Sequence, residues 1–388
     1  PGTGKTTKLL NLVDKHLEAG VEPTNIAFLA FTRKAAEEAR ERAAARFNLD
    51  PKQDLFFFKT LHSLALAMTD IRTDQVMQPE HYRELGKSIG VNLGAAADNR
   101  FSDIPETQKS SDPILGLINL AILRKVPLRT QYNISQIDES WNVVKYVDEA
   151  LTKYKKSYTL YDFTDMLRVF AETGQSCCPR FAVTFLDEAQ DLSPLQWDIA
   201  HMLDRQSERM YCAGDDDQAI YRWAGADVDQ FIGLEGGSET LSQSYRVPQL
   251  PWEIAQNVAR RIHRRFPKTY KPRDERGMVR RISMVNELDM SEGSWLILAQ
   301  AAYLLQDVSS DLKAMGLLFN FRGHRSVSER MSKAINGWEQ LRKDKEILGS
   351  AVKSIYSYMS SKDRIKRGFK RLGGLEEDEM FSFDVLVK

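Results

Sequence analysis

Short apolar runs alternate with amphipathic segments along the first part of the chain. The runs Asn25–Phe31 and Leu55–Lys59 are almost wholly apolar, which is typical of strands buried on both faces of a parallel sheet. Segment 32–47 between them is rich in Ala, Arg and Glu and has the composition of a helix. Two later runs, Phe181–Leu186 and Met210–Ala213, are also of the buried-strand type. The alternation predicts a doubly wound α/β domain.

A long segment between these two pairs of runs has a different pattern. From Thr69 to Tyr158, apolar residues recur at helical spacing, for example in Ile114–Leu123 and Trp141–Tyr154, and no run is typical of a strand. We therefore predict a mainly helical insertion at 69–158. The α/β domain then consists of 1–68 and 159–246.

Helical and strand-like patterns alternate again after residue 246. In order they are a helix at Pro248–Arg265, strands at Met278–Val285 and Trp295–Ala299, and a helix at Leu304–Met315. This order predicts that 247–325 begins a second α/β domain. The segment from Ser326 to Leu372 is polar, rich in Lys and Ser and without strand patterns, so we predict that it is helical.

Composition narrows the class of protein but does not identify its partner. The 388 residues contain 54 Lys and Arg against 54 Asp and Glu, so any affinity for nucleic acid has to come from local patches. Ten Lys or Arg lie within 260–281, where they could follow a phosphate backbone or form a solvated face. Three cysteines without zinc spacing or a disulfide framework favour a reducing cytoplasm. No apolar run is long enough to span a bilayer.

The first seven residues, Pro1–Thr7 (PGTGKTT), match most of the phosphate-binding pattern G-x-x-x-x-G-K-[ST]. Gly2 and Gly4 allow a tight turn whose N–H groups face a phosphate. Lys5 would place a positive charge at the outer phosphates, and Thr6 would place a hydroxyl at Mg²⁺. The alternative is a glycine-rich turn that caps an ordinary helix. Because the leading glycine of the pattern is not present, we expect that the chain starts inside the loop.

Acidic residues follow two of the predicted strands. Asp187 and Glu188 come directly after the run 181–186, at the carboxyl end where open α/β sheets place their ligands. Asp187 is suited to hold Mg²⁺, and Glu188 is suited to orient and deprotonate an attacking water. A solvated acidic turn is the alternative. The second group, Asp215–Asp217, follows the next predicted strand and precedes Gln218, which could touch a γ-phosphate.

Two aromatic residues, Tyr221 and Trp223, follow Gln218 within a stretch of Gly, Asp and Arg. Their rings could stack on nucleic-acid bases, with a contribution of roughly 1–3 kcal/mol per base. Packing in a core is the usual alternative for an isolated Tyr or Trp. The polar neighbours favour a surface role.

Seven blocks in a fixed order carry a resemblance to a known family. They are PGTGKTT, Leu29–Arg42 (LAFTRKAAEEARER), Thr60–Leu66 (TLHSLAL), Tyr161–Leu167 (YDFTDML), Phe185–Asp191 (FLDEAQD), Gly214–Asp227 (GDDDQAIYRWAGAD) and Leu241–Arg246 (LSQSYR). With them the chain resembles the UvrD/Rep/PcrA-like superfamily 1 DNA helicases. The resemblance implies a P-loop NTPase with a RecA-like doubly wound parallel sheet, a helical insertion and a partial second RecA-like domain. It also implies that 326–388 begins a helical accessory insertion of that second domain.

The resemblance implies roles for individual residues, with ATP and Mg²⁺ as the cofactors. The ATP-binding residues are Gly2, Thr3, Gly4, Lys5, Thr6, Thr7 and Tyr245, and the metal-binding residues are Thr6 and Asp187. The catalytic residues are Glu188, Gln218 and Arg246, the last as an arginine finger on the γ-phosphate. The residues of the single-stranded DNA track are Phe31, Thr32, His62, Tyr221 and Trp223. For His62, a hydrogen-bonded structural histidine is an equal alternative.

The chain also departs from the family pattern. Arg33 replaces a common Asn and Ala224 a common Arg, and nothing matches the family's motifs V and VI, so we expect a fragment truncated at both ends. The implied activity is ATP-dependent translocation on DNA in the 3′-to-5′ direction, in the cytoplasm or on the nucleoid. The implied partner is single-stranded DNA or a tailed duplex, without a membrane.

Two alternatives to this activity stay open. One is a nucleic-acid-stimulated ATPase that remodels protein–DNA or RNA complexes without processive unwinding. The other is a single-strand-binding module that hydrolyses nothing.

Overall fold

The computed structural model describes residues 1–94, 112–321, 323–358 and 376–383. Contacts between residues divide the chain into two units, Pro1–Val279 and Arg280–Lys388. The predicted segment 247–325 is therefore shared between the two units. The boundaries of the four predicted parts of the chain remain predictions.

A parallel sheet of four strands lies in the first unit. The strands are β1 (Ile26–Ala30), β2 (Phe58–Thr60), β3 (Val183–Leu186) and β4 (Met210–Cys212), in the order β2-β1-β3-β4 across the sheet. Phe28 lies opposite Phe58 on one side and Phe185 on the other, so β1 is paired along both edges. Because neighbouring strands are parallel, the segments that follow β1, β3 and β4 all leave from the same edge of the sheet.

Helices cover both faces of this sheet. The helices of the first unit are α1 (Lys5–Glu18), α2 (Arg33–Phe47), α3 (Leu61–Met68), α4 (Pro79–Ile89), α5 (Pro113–Leu123), α6 (Leu128–Ile134), α7 (Trp141–Tyr158), α8 (Phe163–Cys177), α9 (Pro194–Arg205), α10 (Val228–Ile232) and α11 (Gln249–Ala259). Ile26 and Phe28 share a core with α1 and α2, whereas Ala27 and Leu29 share one with α3, α8 and α9. Successive strand residues point to opposite faces, so each core lies on its own side of the sheet. The predicted doubly wound α/β fold is confirmed.

The helices α4 to α7 have a hydrophobic core of their own. It contains Leu85 of α4, Ile114 of α5 and three residues of α7, Val144, Val147 and Leu151. The helices predicted within 114–123 and 141–154 are confirmed, and α7 extends four residues further. Residues 95–111 of the predicted insertion lie outside the described residues.

The second unit contains three helices, one short hairpin and one antiparallel pair of strands that are distant in sequence, within its described ranges. These are α12 (Leu305–Ala314), α13 (Glu329–Leu341), α14 (Gly349–Tyr358), β5 (Asn320–Phe321) with β6 (His324–Arg325), and β7 (Ile347–Leu348) with β8 (Met380–Phe381). Leu341 of α13 packs with Val352 and Ile355 of α14. Of the segment predicted to be helical, 359–372 lies outside the described residues. No helix in the described part of the chain is long and apolar enough to cross a bilayer.

The prediction of strands at Met278–Val285 and Trp295–Ala299 is wrong. Neither segment pairs with another strand among the described residues. Leu296 and Leu298 are 82% and 80% exposed, so no layer covers the apolar side chains either. An apolar run becomes a strand only where a neighbouring ladder accepts its backbone hydrogen bonds, and here none does.

Two other predicted element boundaries differ from the structure by three residues or more. The strand expected at Leu55–Lys59 begins only at Phe58, because Asp50 accepts hydrogen bonds from the N–H groups of Lys52 and Gln53 and starts a run of turns. The helix expected to reach Arg265 ends at Ala259.

Candidate functional site

The phosphate-binding pattern forms a left-handed loop that leads directly into α1. Gly2 has φ +67° and Gly4 has φ +82°, which lie in a backbone region that residues with a side chain rarely adopt. Gly4 is the N-cap of α1, and its carbonyl accepts from the N–H of Lys8 at 2.8 Å. The loop also contains Thr3, and Thr7 lies in the first turn of α1. A helix N-terminus preceded by two such glycines is a geometry suited to a phosphate.

Thr6 and Asp187 meet although 181 positions separate them. The Thr6 hydroxyl donates to Oδ2 of Asp187 at 2.7 Å, at the carboxyl end of β3. Asp187 is buried, and this burial is the main cause that raises the pKa of its carboxyl group. Mg²⁺ in nucleotide sites is commonly held by one or two protein oxygens together with phosphates and waters. The hydroxyl and carboxylate of this pair fit that requirement.

Glu188 follows Asp187 in a left-handed conformation, with φ 53°. Such a conformation is uncommon for a residue with a side chain and is often found at functional sites. The Glu188 N–H donates to Oδ1 of Asp187 at 3.0 Å. Burial, and after it the charge of Glu188, raises the pKa of the nearby Asp191 to about 7. The carboxyl groups of Asp187, Glu188 and Asp191 therefore lie close together beside the loop. Such a cluster is suited to bind a cation and to accept a proton from an attacking water.

Gln190 connects the two acidic segments, a role that the sequence interpretation missed. Its Nε2 donates to Oε2 of Glu188 and to Oδ2 of Asp191, each at 2.9 Å. Its Oε1 accepts from the backbone N–H of Asp215 at 2.9 Å. Asp215 in turn accepts a hydrogen bond from Nε2 of Gln218. The block FLDEAQD shows an amide residue between two acidic residues. It does not show that this amide meets the backbone of Asp215 after β4.

Tyr245 and Arg246 lie against the phosphate-binding loop. The N–H of Tyr245 donates to the carbonyl of Gly2 at 2.9 Å, and the buried Ser244 hydroxyl donates to the carbonyl of Pro1 at 2.8 Å. A Cβ atom on Gly2 would lie 2.4 Å from Cβ of Arg246. The Tyr245 ring is 74% exposed, so its faces are open to a ligand. The structure thus brings these two predicted site residues to the loop.

Three aromatic side chains of the predicted DNA track lie together. The ring centroids of Phe31 and Tyr221 are 5.5 Å apart, and those of Tyr221 and Trp223 are 6.4 Å apart. Trp223 is 65% exposed, which excludes core packing for this residue. The Thr32 hydroxyl oxygen accepts from the N–H of Ala35 at 3.2 Å and caps α2, so Thr32 has a structural role beside the aromatic residues.

The loop that carries the aromatic residues packs against helix α5. The Arg124 guanidinium at the end of α5 donates to the carbonyl of Arg222 at 2.9 Å. A Cβ atom on Gly225 would be 3.1 Å from a methyl group of Leu120 in the same helix. Ala224, where the family commonly has Arg, is buried next to this contact. The small side chain suits the close approach of the loop to α5.

His62 is buried beside the aromatic group, and it lines a small cavity together with Phe31 and Asp187. It is only 8% exposed, and its ring lies 6.3 Å from that of Phe163 in an edge-on arrangement. Its Nε2 has no hydrogen-bond partner among the described residues. Burial, followed by the charge of Arg33, lowers the pKa of His62 to about 4. This environment favours the structural alternative for His62, although in the form of a buried neutral ring rather than a hydrogen-bonded one.

The buried His62 predicts an acid-sensitive stability. In the unfolded chain its pKa is about 6.5, so the unfolded state binds the proton first as pH falls. The stability contribution of the neutral ring is complete above pH 6.5 and is lost between pH 6.5 and about 4, by about 3 kcal/mol. The free energy of unfolding of the wild type should fall by this amount relative to His62→Gln, as measured by urea denaturation between pH 7 and pH 4. A difference that stays constant with pH would contradict the assignment.

Part of the basic patch at 260–281 is already paired with acidic residues. Arg265 lies 2.6 Å from Asp217, Lys268 lies 2.8 Å from Asp215, and Arg273 pairs with Glu275. Arg264 lies 3.4 Å from Asp229. These four cations are therefore engaged within the protein. The patch is less available to a phosphate backbone than its charge count indicates.

Comparison with known proteins decides the family. The UvrD/REP helicase N-terminal domain family matches residues 1–236, which is more than half of the chain. The protein belongs to the UvrD/Rep helicase family. The family resemblance is thereby confirmed, as is the P-loop NTPase class of the first unit. Six of the seven blocks lie within the matched residues, and the block Leu241–Arg246 lies beyond them.

Several curated relatives are ATP-dependent DNA helicases by name. The ATP-dependent DNA helicase PcrA of Leuconostoc citreum is 27% identical over 285 residues, which cover 69% of this chain and 37% of the relative. The putative ATP-dependent DNA helicase YjcD of Bacillus subtilis (strain 168) is 26% identical over 345 residues, with coverage of 85% and 44%. PcrA of the same organism is 26% identical over 301 residues, with coverage of 71% and 39%. The chain thus spans less than half the length of these UvrD/Rep relatives.

Proposed function

We propose that this member of the UvrD/Rep family is an ATP-dependent DNA helicase that moves on single-stranded DNA in the 3′-to-5′ direction. The observation that carries the proposal is the convergence of two distant segments on one phosphate-binding loop. The Thr6 hydroxyl donates a hydrogen bond to Asp187 at 2.7 Å, and the N–H of Tyr245, which precedes Arg246, donates one to the carbonyl of Gly2 at 2.9 Å. A glycine-rich turn that only caps α1 would not need either contact.

Each residue of this site has a separate proposed task in ATP hydrolysis. Lys5 and the N–H groups of the loop would bind the phosphates, while Thr6 and Asp187 would hold Mg²⁺, which neutralises charge on the phosphate oxygens when bound. Glu188 accepts a proton from the attacking water. Gln218 and Arg246 contact the γ-phosphate, where a planar guanidinium stabilises the charge that develops on the oxygens. The exposed Tyr245 ring stacks on the adenine.

The proposed DNA track is the aromatic group Phe31, Tyr221 and Trp223 on the same edge of the sheet. Phe31 follows β1, and Tyr221 and Trp223 follow β4 in the loop that begins with Gln218. A movement of Gln218 on loss of the γ-phosphate would therefore reach the aromatic rings within a few residues. This proximity supports coupling between hydrolysis and release of a stacked base. Single-stranded DNA, or a duplex with a single-stranded tail, is the proposed partner.

The test is ATP hydrolysis by the natural full-length protein with and without single-stranded DNA. The proposal expects hydrolysis that single-stranded DNA stimulates and that Lys5→Ala abolishes. Stimulation without any strand separation on DNA or RNA duplexes would support the remodelling ATPase instead. Binding of single-stranded DNA that is identical with and without nucleotide, in the absence of hydrolysis, would support the binding module.

Removal of the Trp223 ring is expected to weaken binding of single-stranded DNA by about 10-fold, because one stacked base contributes roughly 1–3 kcal/mol. Fluorescence anisotropy with a labelled oligothymidylate measures the change. Trp295→Ala is the matched control, since that ring is also exposed, at 51%, but lies outside the aromatic group. Equal affinities for Trp223→Ala and the control would remove Trp223 from the proposed track.

A further inference from the structure

Three consecutive carboxylates, Asp215–Asp217, lie around a single lysine side chain. Lys268 forms ion pairs with Asp215 at 2.8 Å and with Asp217 at 3.2 Å, and it also contacts Asp216. The Lys268 side chain is only 12% exposed. Arg265 adds a second cation, 2.6 Å from Asp217. The acidic segment after β4 is thus held by two basic residues from one short stretch that no sequence motif identified.

The charge balance of this cluster depends on Lys268. Three carboxylates face two side-chain cations, Lys268 and Arg265, and a further contact comes from the N–H of Phe266, which donates to Asp216 at 2.7 Å. Burial opposes ionisation of Asp215, but the charge of the Lys268 ammonium group 2.8 Å away outweighs it and holds the pKa of this carboxyl group below its ordinary value. Without Lys268, buried negative charges would face one another with too few partners. The segment would then have to rearrange or take up protons.

Asp215 connects Lys268 with two residues of the proposed nucleotide site, Gln218 and Gln190. Its Oδ1 faces Lys268, and its Oδ2 accepts a hydrogen bond from Nε2 of Gln218. Its backbone N–H donates to Gln190, which also bonds to Glu188. The side chain and the backbone of Asp215 are therefore both hydrogen-bonded to residues beside the proposed γ-phosphate position.

We infer that Lys268 is a positioning residue, which holds the Gln218 side chain at the γ-phosphate through Asp215. The inference rests on the proposed function and extends it to a residue outside the seven blocks. It replaces the interpretation of Lys268 as part of a DNA-binding basic patch. A side chain that is largely buried and contacts three carboxylates is not available to a DNA phosphate.

The inference is tested by a double-mutant cycle on the natural full-length protein. Lys268→Met is expected to lower kcat of single-strand-stimulated ATP hydrolysis by about 10-fold or more, because small displacements of a catalytic group are costly. Lys268→Arg should recover part of the loss. Since Lys268 acts through Gln218, adding Lys268→Met to Gln218→Ala should lower kcat no further. Lys145→Gln, in an exposed ion pair on α7, is the control.

The outcomes separate the inference from its alternatives. Unchanged kcat in Lys268→Met, or losses that multiply in the double variant, would overturn the inference. Weaker and less salt-dependent DNA binding with unchanged kcat would return Lys268 to the basic patch. If Lys268→Met does not fold, Lys268→Gln replaces it in the same cycle, because it keeps a hydrogen-bond donor. A wild-type protein that hydrolyses no ATP would contradict the proposed function itself.

Discussion

Replacement of Glu188 by Gln is expected to lower ATP turnover by about 10²–10⁴-fold, while the nucleotide still binds. The amide removes the basic oxygen that would accept a proton from the attacking water. It has nearly the same size, and its carbonyl can still accept the hydrogen bond that Gln190 now donates to Glu188 at 2.9 Å. The left-handed backbone at this position, φ 53°, is not changed by the substitution. The loss should therefore be in kcat.

Steady-state hydrolysis and binding of a fluorescent ATP analogue measure the two parts of this prediction. Glu172→Gln is the matched control, because it makes the same chemical change on an exposed position of α8. Turnover within twofold of the wild type in Glu188→Gln would show that another group activates the water. Loss of analogue binding would show that Glu188 holds the site together instead.

The substitution Gly2→Ala is expected to abolish most ATP turnover with only a modest loss of stability. Two effects combine at this position. The backbone has φ +67°, and the added Cβ would lie 2.4 Å from Cβ of Arg246 and 3.3 Å from the Ser244 hydroxyl oxygen. The loop and Arg246 must therefore move apart, which separates the phosphate site from the proposed arginine finger. We expect a loss in kcat of at least about 10-fold.

Gly90→Ala separates the two effects. Gly90 has nearly the same backbone angle, φ +69°, at the end of α4, but a Cβ atom there meets nothing within 4 Å. Both variants should lose about 1–2 kcal/mol of stability from the left-handed conformation, as measured by urea denaturation. Only Gly2→Ala should lose turnover. Equal activity of the two variants would mean that the contact between the loop and Arg246 is not needed.

Much of the first unit follows from local sequence patterns. The apolar runs around Phe28 and Phe185 predict strands that are buried on both faces, as in a parallel sheet. The structure agrees, since both side chains are fully buried. Parallel pairing then places Asp187 and Asp215, which follow β3 and β4, at one edge of the sheet. The meeting of Thr6 with Asp187 could be anticipated only from the family resemblance, because Thr6 precedes β1 and follows no strand among the described residues. The left-handed glycines of the loop follow from the motif itself.

Contacts that depend on chain folding over long distances could not be predicted. The Gln190 amide joins the segments after β3 and β4, and no periodicity indicates which backbone group it will meet. Lys268 lies in a run of basic residues whose composition is equally that of a solvated face, and only the tertiary structure brings it to Asp215. The apolar run at Trp295–Ala299 fails as a strand for the same reason, because pairing partners are not a property of the run.

The most direct test of the account is strand separation by the natural full-length protein on duplexes with a 3′ or a 5′ single-stranded tail. With ATP and Mg²⁺, the account predicts release of the paired strand from the 3′-tailed duplex. It predicts no release with a non-hydrolysable ATP analogue or with the Glu188→Gln variant. Absence of release from either duplex, or equal release without hydrolysis, would contradict the claim that ATP hydrolysis at this site drives movement along single-stranded DNA.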